Sequence, residues 1–336
     1  MPPRREIDDR PTCLVLHMRA LGEVAFALPL LHALQHAGWR TVSLIQRELA
    51  PILEASGLVD HVIYRVKQPR AYLAMAGEIR RQHPRACLAL GPGANNSLLA
   101  RFSGARDRIG YDYAQCRWCL QTVPFEGGGV ENYLSLLPSL GVPRTVDSYC
   151  GLLKVPPAQS KAAAALLEAA GLPPGEPFVA LSPISTGKLG VKAYPPESWA
   201  VICRELRARG HHVVLVGSAA DAQLHREMLQ GEGAGRALSL AGQTPVLVLA
   251  GVLQRAAALI GVDTGPVHVA AAVGTHCVVL FGPSDPRRTS PCGEGHVVLY
   301  RGLNCQPCHT EPCNYEGRCL RELTPEQVLT AAEQIL

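Results

Sequence analysis

The stretch Ala258-Leu-Ile-Gly-Val-Asp-Thr-Gly-Pro-Val-His-Val-Ala-Ala-Ala-Val-Gly-Thr-His-Cys-Val-Val-Leu-Phe281 decides the fold class. It contains two short apolar runs, 258–262 and 277–281, that are typical of strands buried on both faces. Between them, Pro266 suits the first position of a helix over 266–273. A strand–helix–strand unit of this kind joins parallel strands, so the stretch predicts an α/β fold.

The same alternation runs through both halves of the chain, which are separated by a region rich in Pro and Gly at 140–177. Further strands are predicted over 13–18, 41–45, 61–64, 86–90, 178–181 and 212–216. Further helices are predicted over 24–37, 70–81, 160–170, 197–209, 221–229 and 247–257. We therefore expect two Rossmann-like, doubly wound domains, 1–155 and 156–323, that face a cleft, followed by a C-terminal helix over 324–336.

The composition suits a globular protein, because 47% of the 336 residues are hydrophobic and 18% are charged. The apolar runs are far shorter than the roughly 20 residues that span a bilayer. The net charge of +4 contains no block of like charge, so we do not expect nucleic acid as a partner. This charge fits anionic small molecules or an anionic membrane surface, or it is ordinary surface charge. The charged residues 1–11 precede no apolar segment of a secretory signal, which predicts a cytoplasmic protein.

The turn after the first predicted strand holds a carboxylate, Glu23, at the start of the next helix. In open α/β sheets ligands collect at the carboxyl ends of the strands, and Gly22 permits a tight turn there. Glu23 is therefore a candidate for a reactive group in the cleft. Alternatively, it only complements the dipole of the helix that follows.

The loop 182–195, after the first strand of the second domain, is rich in hydroxyls, glycines and lysines. Such a turn can offer hydroxyls, backbone N–H groups and an ammonium to a phosphate. It is not a Walker loop, because the order Gly-Lys-Thr/Ser is absent. The alternative interpretation is a solvated loop.

The turn that follows the strand 258–262 is a third candidate. Asp263, Thr264 and the N–H groups around Gly265 would surround the N-terminus of the next helix, which is an anion site aimed into the cleft. Alternatively, Asp263 caps the helix and His268 is a hydrogen-bonded histidine of the core.

Four cysteines are clustered near the C-terminus, as Cys305-x2-Cys308-x4-Cys313-x5-Cys319. Four thiols at this separation suit a tetrahedral, structural zinc site with no open position. The alternatives are free thiols and a disulfide pair that forms on oxidation.

Together these motifs resemble glycosyltransferase family 9, which includes the ADP-heptose:lipopolysaccharide heptosyltransferases. The resemblance rests on Asp263-Thr-Gly-Pro-Val-His268 with the following run to Pro286, on residues 19–29, and on Lys192 through Trp199, and it covers nearly the whole chain. The family pattern has Asp where this chain has Glu23, and Trp where it has Tyr194. A carboxylate is kept at residue 23, so either the cleft is adjusted to glutamate or the activity is altered.

The resemblance implies a GT-B fold whose C-terminal helix crosses back to the first domain. It implies a nucleotide-diphosphate heptose, with ADP-heptose expected, as a donor held mainly by the second domain. Lys192, with Ser185 or Thr186, would hold the donor phosphates. Four residues would hold the phosphate and sugar side: Asp263, Thr264, Gly265 and His268. The acceptor, a lipid-linked saccharide such as the lipopolysaccharide core, would approach from the first domain at the cytoplasmic face of the inner membrane.

The resulting hypothesis is an inverting glycosyl transfer. Glu23 would accept the proton of the attacking hydroxyl, while Lys192 and the helix N-terminus near Gly265 stabilise the departing diphosphate. No Asp-x-Asp pair appears in the turns that would face the cleft, so no metal or other cofactor is expected for catalysis. Two alternatives stay open: a transferase or epimerase for another nucleotide sugar, and a non-catalytic nucleotide-sugar-binding module. A dinucleotide oxidoreductase is disfavoured, because Gly-x-Gly-x-x-Gly is missing after the first strand.

Overall fold

The computed structural model describes residues 9–18, 20–66, 68–125, 127–183, 192–229, 237–308 and 313–336. The chain divides into two compact units. The first unit consists of Met1–Arg19 and Phe26–Asp147, and the second of Ala20–Ala25 and Ser148–Leu336. The division after Asp147 lies N-terminal to the boundary expected at residue 155. The short segment Ala20–Ala25, which contains Glu23, belongs to the second unit.

The first unit is built on a six-stranded sheet. Its strands are β1 (Thr12–Leu16), β2 (Arg40–Ile45), β3 (His61–Tyr64), β4 (Ala86–Ala89), β5 (Asp107–Tyr111) and β6 (Gln121–Val123). The helices that follow β1 in this half of the chain are α1 (Leu21–His36), α2 (Ala50–Ser56), α3 (Pro69–Arg81), α4 (Ala94–Phe102) and α5 (Gly129–Leu134). The strands pair in parallel in the order β3-β2-β1-β4-β5-β6.

The second unit contains another six-stranded sheet. Its strands are β7 (Phe178–Ser182), β8 (His212–Leu215), β9 (Ala237–Ser239), β10 (Ala258–Val262), β11 (Cys277–Phe281) and β12 (Val297–Tyr300). Its helices are α6 (Pro157–Ala169), α7 (Pro196–Ala208), α8 (Ala222–Leu229), α9 (Val246–Arg255), α10 (Gly265–Ala272), α11 (Pro286–Thr289), α12 (Arg318–Arg321) and α13 (Pro325–Glu333). These strands are also parallel, in the order β12-β11-β10-β7-β8-β9.

Both sheets have one strand order when each is numbered from its own first strand: third, second, first, fourth, fifth, sixth. In this Rossmann order the chain reverses its direction of travel between the first and fourth strands, and doubly wound folds bind ligands at that point. The prediction of two doubly wound α/β domains is confirmed. The turns after β1, β4, β7 and β10 therefore lie at the positions where a site is expected.

The C-terminal helix α13 packs against α7, β11 and β12 of the second unit. Its apolar residues Val328 and Leu329 lie in one hydrophobic core with Trp199 of α7. Thr324 caps the helix by accepting a hydrogen bond from the N–H of Gln327. The apolar face of the helix is thus covered by its own unit. Within the described ranges, no helix is both long enough and apolar enough to cross a bilayer.

Candidate active site

The turn between β10 and α10 holds an ion pair formed by Asp263 and Lys192. The Nζ of Lys192 donates to Oδ2 of Asp263 at 2.6 Å and to the backbone oxygen of the same residue at 3.2 Å. The Asp263 side chain is only 5% exposed and that of Lys192 22%. Asp263 therefore holds the ammonium with both its carboxylate and its main chain.

The carboxyl group of Asp263 is ionised at every physiological pH. Burial by itself would raise its pKa, but the nearby His268 ring, the Lys192 ammonium and the Ser284 hydroxyl together hold that pKa well below its usual range. Asp263 and Lys192 thus form a neutral pair. Ser284, which follows β11, is a contributor that the sequence did not single out.

Thr264 and Gly265 form the start of α10. Thr264 is extended at the N-cap position, and its hydroxyl donates backwards to the carbonyl of Val262 at 3.1 Å instead of capping the helix. The alternative in which Asp263 caps α10 does not hold, because its carboxylate bonds Lys192. The first turn of α10 begins Gly265-Pro266 and contains no acidic residue, so no carboxylate within the helix offsets its positive dipole end.

His268 lies one turn into α10 and is 4% exposed. Its Nδ1 is 2.8 Å from the phenolic oxygen of Tyr149, and its Nε2 is 3.8 Å from Oδ1 of Asp263. His268 is therefore a buried, hydrogen-bonded histidine of the core, which was one of the two interpretations of the sequence. Its Nε2 edge nevertheless faces the Asp263 turn.

The start of α1 interlocks with this turn through two glycines. A Cβ on Gly22 would lie 2.6 Å from Cδ2 of His268, and a Cβ on Gly265 would lie 2.7 Å from Cδ2 of Leu21. Only hydrogens fit at these two contacts. The structure therefore brings the first turn of α1, with the half-buried Glu23, against the turn that holds Lys192 and His268.

The segment that carries Lys192 is anchored by Tyr194, two residues further on. The Tyr194 hydroxyl donates to the carbonyl of Leu323 at 2.7 Å, and its ring packs edge-on against Trp199 at 5.3 Å. Burial raises the pKa of Tyr194 to about 12. Ser185 and Thr186, the other predicted phosphate ligands, lie outside the described residues.

The four clustered cysteines, Cys305, Cys308, Cys313 and Cys319, form no disulfide in the structure. Cys319 is part of the hydrophobic core of the second unit, and burial, with the nearby Cys313, Cys308 and Cys305 adding, raises its pKa to about 11. Cys313 accepts a hydrogen bond from the N–H of Gly317. Among the residues that the structure describes, no three His, Cys, Asp or Glu side chains are arranged to hold a metal ion. The structural zinc site stays a prediction.

A second site, which the sequence did not reveal, is a pocket of about 440 Å³ in the first unit. It opens at the carboxyl ends of the central strands, and Arg65, which follows β3, is the cation that lines it. Arg65 donates to Oδ1 of Asn96 at 2.8 Å and to the carbonyl of His17 at 3.4 Å. The other described lining residues contain no carboxylate: His17, Met18, Gly91, Pro92, Gly93, Ala94, Asn95, Asn96 and Gln115.

His17 is a buried, uncharged residue that lines this pocket. It is 1% exposed, and its Nε2 is hydrogen-bonded to the Ser43 hydroxyl at 3.0 Å. Burial, assisted by the nearby Arg65, lowers the pKa of His17 to about 3. The signals that could have found the pocket are Arg65 directly after β3 and the turn Gly91-Pro-Gly-Ala94 after β4.

Known proteins resemble this chain in sequence and in fold. The sequence model of glycosyltransferase family 9 (heptosyltransferase) matches residues 78–318. The lipopolysaccharide heptosyltransferase 3 of Escherichia coli is 30% identical over 215 residues, which are 61% of this chain and 62% of that protein. The match thus spans less than two thirds of the relative's length.

Solved structures show the same fold. The glycosyl transferase family 9 protein of Veillonella parvula DSM 2008 superposes with a TM-score of 0.84 at 23% identity, covering 98% of both chains. An E. coli heptosyltransferase solved with ADP-2-deoxy-2-fluoro heptose gives a TM-score of 0.72 at 19% identity, covering 96% of this chain and 99% of that one. These likenesses show the GT-B fold that the resemblance implied. Since the family model covers well over half of the sequence, the chain belongs to glycosyltransferase family 9.

Proposed function

We propose that this protein is an inverting glycosyltransferase. It would move a heptose from a nucleotide-diphosphate heptose, with ADP-heptose as the expected donor, to an acceptor of the lipopolysaccharide-core type. The observation that carries the proposal is the interlock at Gly22 and Gly265, which sets the carboxylate-bearing start of α1 against the turn that holds Lys192. The relative named as a lipopolysaccharide heptosyltransferase, and the solved one with an ADP-heptose analogue, support the choice of substrates.

The donor diphosphate would bind at Lys192 and the N-terminus of α10. An ammonium has three N–H donors, and Asp263 accepts two hydrogen bonds from it among the described residues. The third N–H would meet a phosphate oxygen, and the dipole of α10 would add to the attraction. Asp263 itself would repel a phosphate, so its proposed role is to position Lys192 instead of contacting the diphosphate.

Glu23 would act as the general base. As the acceptor oxygen attacks the anomeric carbon, the carboxylate takes the hydroxyl proton and the bond from that carbon to the diphosphate breaks. Attack from the face opposite the diphosphate inverts the anomeric configuration. The positive charge that stabilises the departing diphosphate would come from Lys192 and α10, so this mechanism requires neither a metal nor another cofactor.

The acceptor would be held by the first unit, at the Arg65 pocket. A guanidinium whose orientation is set by Asn96 and the His17 carbonyl suits a carboxylate or a phosphate. Saccharides of the lipopolysaccharide core type carry such groups, and they are attached to lipid. We therefore expect the protein to work at the cytoplasmic face of the inner membrane.

The test is a transfer assay with a panel of ADP-, GDP- and UDP-sugars and an inner-core lipopolysaccharide acceptor. Release of nucleoside diphosphate and the mass of the product identify the donor, and the coupling of the new anomeric proton reports inversion. Transfer only from another nucleotide sugar would replace the heptose assignment. Epimerised sugar without transfer, or donor binding without turnover, would replace the transferase by an epimerase or a binding module.

The base is tested with Glu23→Gln, which keeps the side-chain size and removes the proton acceptor. We expect turnover to fall by about a hundredfold or more while the donor Kd stays unchanged. Glu48→Gln, at an exposed glutamate of the first unit, is the matched control and should keep full turnover. Full turnover in Glu23→Gln would reject the assigned base.

A further inference from the structure

The three large hydrophobic side chains with the highest exposure among the described residues all belong to the first unit. Leu73 is 79% exposed, Trp118 75% and Phe102 56%. Leu73 lies on α3, Phe102 ends α4, and Trp118 lies in the short 3₁₀ turn Arg117–Cys119 between β5 and β6. Single exposed apolar side chains are ordinary, whereas a group of them on one surface marks an interaction site.

The first two of these residues lie on the outer side of one helical layer. The inner residues Ile79 of α3 and Leu99 of α4 belong to one hydrophobic core, so the two helices pack on the same core. Arg80 joins the helices on the outside, because its Nε donates to the carbonyl of Phe102 at 2.9 Å. Leu73 precedes Arg80 by seven residues, so both lie on one stripe of α3.

Trp118 is joined to the same surface through Arg108. The Nε of Arg108 donates to the carbonyl of Cys119 at 3.1 Å, and its Nη1 donates to the carbonyl of Ala105 at 2.8 Å. Cys119 directly follows Trp118, and Ala105 comes three residues after Phe102. One guanidinium thus fastens the turn that bears Trp118 to the end of α4.

The apolar side chains are accompanied by arginines. Arg101 precedes Phe102 in the chain and Arg117 precedes Trp118, and both are exposed, as is Arg80. In the part of the chain that the structure describes, none of these three is ion-paired with a carboxylate. The stretch 101–118 contains four arginines and two aspartates, which leaves an excess of positive charge. We call this surface the α3–α4 face, and its members are Leu73, Arg80, Arg101, Phe102, Arg117 and Trp118.

We propose that the α3–α4 face docks on the surface of an anionic lipid bilayer. Aromatic and leucine side chains enter the boundary between headgroups and acyl chains, while arginines are attracted to acidic headgroups, so the composition of the face complements such a surface in both polarity and charge. An uncharged surface would leave the arginines without a counterpart.

The place of the face also fits a lipid-linked acceptor, and this step rests on the proposed function. Helix α4 begins with Ala94 at the Arg65 pocket and ends with Phe102 on the α3–α4 face. At 1.5 Å per residue the two ends lie about 12 Å apart along the helix. A saccharide bound in the pocket would therefore be held close to the bilayer that carries its lipid.

Trp118 supplies its own reporter for the test. The chain has three tryptophans, and the other two are buried, Trp39 at 7% and Trp199 at 0% exposure. The full-length protein is mixed with vesicles of phosphatidylglycerol and phosphatidylethanolamine that contain no acceptor. We expect the tryptophan emission to shift to shorter wavelength and to be quenched by brominated acyl chains. Vesicles of phosphatidylcholine alone should give a much smaller shift, and Trp118→Phe should abolish it.

Sedimentation with the anionic vesicles measures the contribution of single residues. We expect Trp118→Ala to weaken binding by about tenfold, as for one large apolar side chain, and Arg117→Gln by about fivefold, as for one charge near an acidic surface. The effect of Arg117→Gln should disappear at high salt. The matched controls are Tyr315→Ala and Arg204→Gln, at exposed residues of the second unit, and both should bind as the wild type does. Because all four side chains are exposed, the variants should unfold at the same urea concentration as the wild type.

Absence of an emission shift with anionic vesicles, or equal losses of binding in the variants and their controls, would overturn the proposal. Self-association of the wild type that Trp118→Ala removes would assign the face to a second copy of this chain and would also overturn it. In transfer assays we expect Trp118→Ala to raise KM for an acceptor embedded in vesicles and not for the same saccharide freed of its lipid. Vesicle binding without any transfer would contradict the proposed function alone, whereas transfer without vesicle binding would contradict the docking alone.

Discussion

The turns β4–α4 and β10–α10 occupy the same place in their sheets, since each follows the fourth strand of a unit, yet they differ in charge. In the second unit, Asp263 comes directly after the strand and binds Lys192 in a neutral, mostly buried pair. In the first unit, the corresponding turn is glycine-rich, and the pocket beside it is lined by Arg65 and no described carboxylate.

This difference shows that the strand order chooses where a ligand can bind but not which ligand. The pair with Asp263 holds the Lys192 ammonium in one place and offsets part of its charge, whereas the Arg65 pocket contains a cation and no described carboxylate. We therefore expect the turn of the second unit to orient its lysine towards one ligand group, and the pocket of the first unit to favour an anionic ligand. The four variants below test the two halves of this comparison.

Breaking the ion pair should have the largest effect. Asp263→Asn keeps the shape of the side chain but leaves the Lys192 ammonium without its carboxylate, which costs about 3 kcal/mol for a mostly buried pair. We expect this loss in the free energy of unfolding by urea, together with loss of donor binding by calorimetry.

Asp285→Asn is the control for that variant. This aspartate caps α11, and its partner Arg287 is 85% exposed, so the loss should be about 1 kcal/mol with donor binding retained. Equal losses in the two variants would show that the Asp263 pair is no more than a surface interaction.

The second largest effect should come from adding one methyl group at the contact between α1 and the Asp263 turn. Gly22→Ala forces the ring of His268 to move, because the new Cβ would lie 2.6 Å from it, and a displacement of about 1 Å can cost a hundredfold in rate. Gly77→Ala, within α3, meets nothing within 4 Å and should keep the wild-type rate. Similar kcat values in the two variants would mean that the start of α1 does not matter for turnover.

Removing the cation of the pocket should affect one substrate only. We expect Arg65→Gln to raise KM for the acceptor by about tenfold, as for a lost charge-assisted hydrogen bond, and to leave KM for the donor unchanged. Arg106→Gln, at an exposed arginine of the same unit, is the matched control. A change in the donor KM alone would remove the pocket from the acceptor site.

The smallest effect at neutral pH belongs to His17. Its pKa is about 3 in the fold and 6.5 ordinarily, so between these values the unfolded chain binds more protons. Stability should therefore fall as the pH drops below 6.5, by about 1.4 kcal/mol per pH unit from this group. His17→Gln should flatten this slope in urea unfolding between neutral pH and about pH 4. A slope that His17→Gln leaves unchanged would contradict the assignment.

The sequence predicted the central strands of the second sheet well. The bounds of β10 and β11 agree with the predicted ranges, because a continuous apolar run between turn residues is a local property. The edge strand β3 agrees as well, although it is only partly buried. Four strands were not predicted: β5, β6, β9 and β12. The strands β6 and β9 are three residues long and incompletely buried, so only pairing with a neighbour makes them strands.

The sequence indicated candidate residues that lie within one turn, but not the contacts between distant residues. It singled out Asp263 and Lys192 separately and did not predict that they pair. Tyr149 contacts a residue 119 positions away and lies in the region rich in Pro and Gly that indicated only a domain boundary. The spacing of the clustered cysteines likewise did not indicate that Cys319 is part of the hydrophobic core.

The sequence by itself determined that two parallel sheets form and that acidic, basic and glycine residues stand at the carboxyl ends of their strands, because apolar periodicity and turn chemistry act over a few neighbouring residues. The tertiary structure alone decided which of those residues meet. It paired Lys192 with Asp263, packed the ring of His268 against Gly22, and brought the hydroxyl of Tyr149 to that same ring. Such contacts depend on burial, and burial is a property of the packed chain and not of any segment.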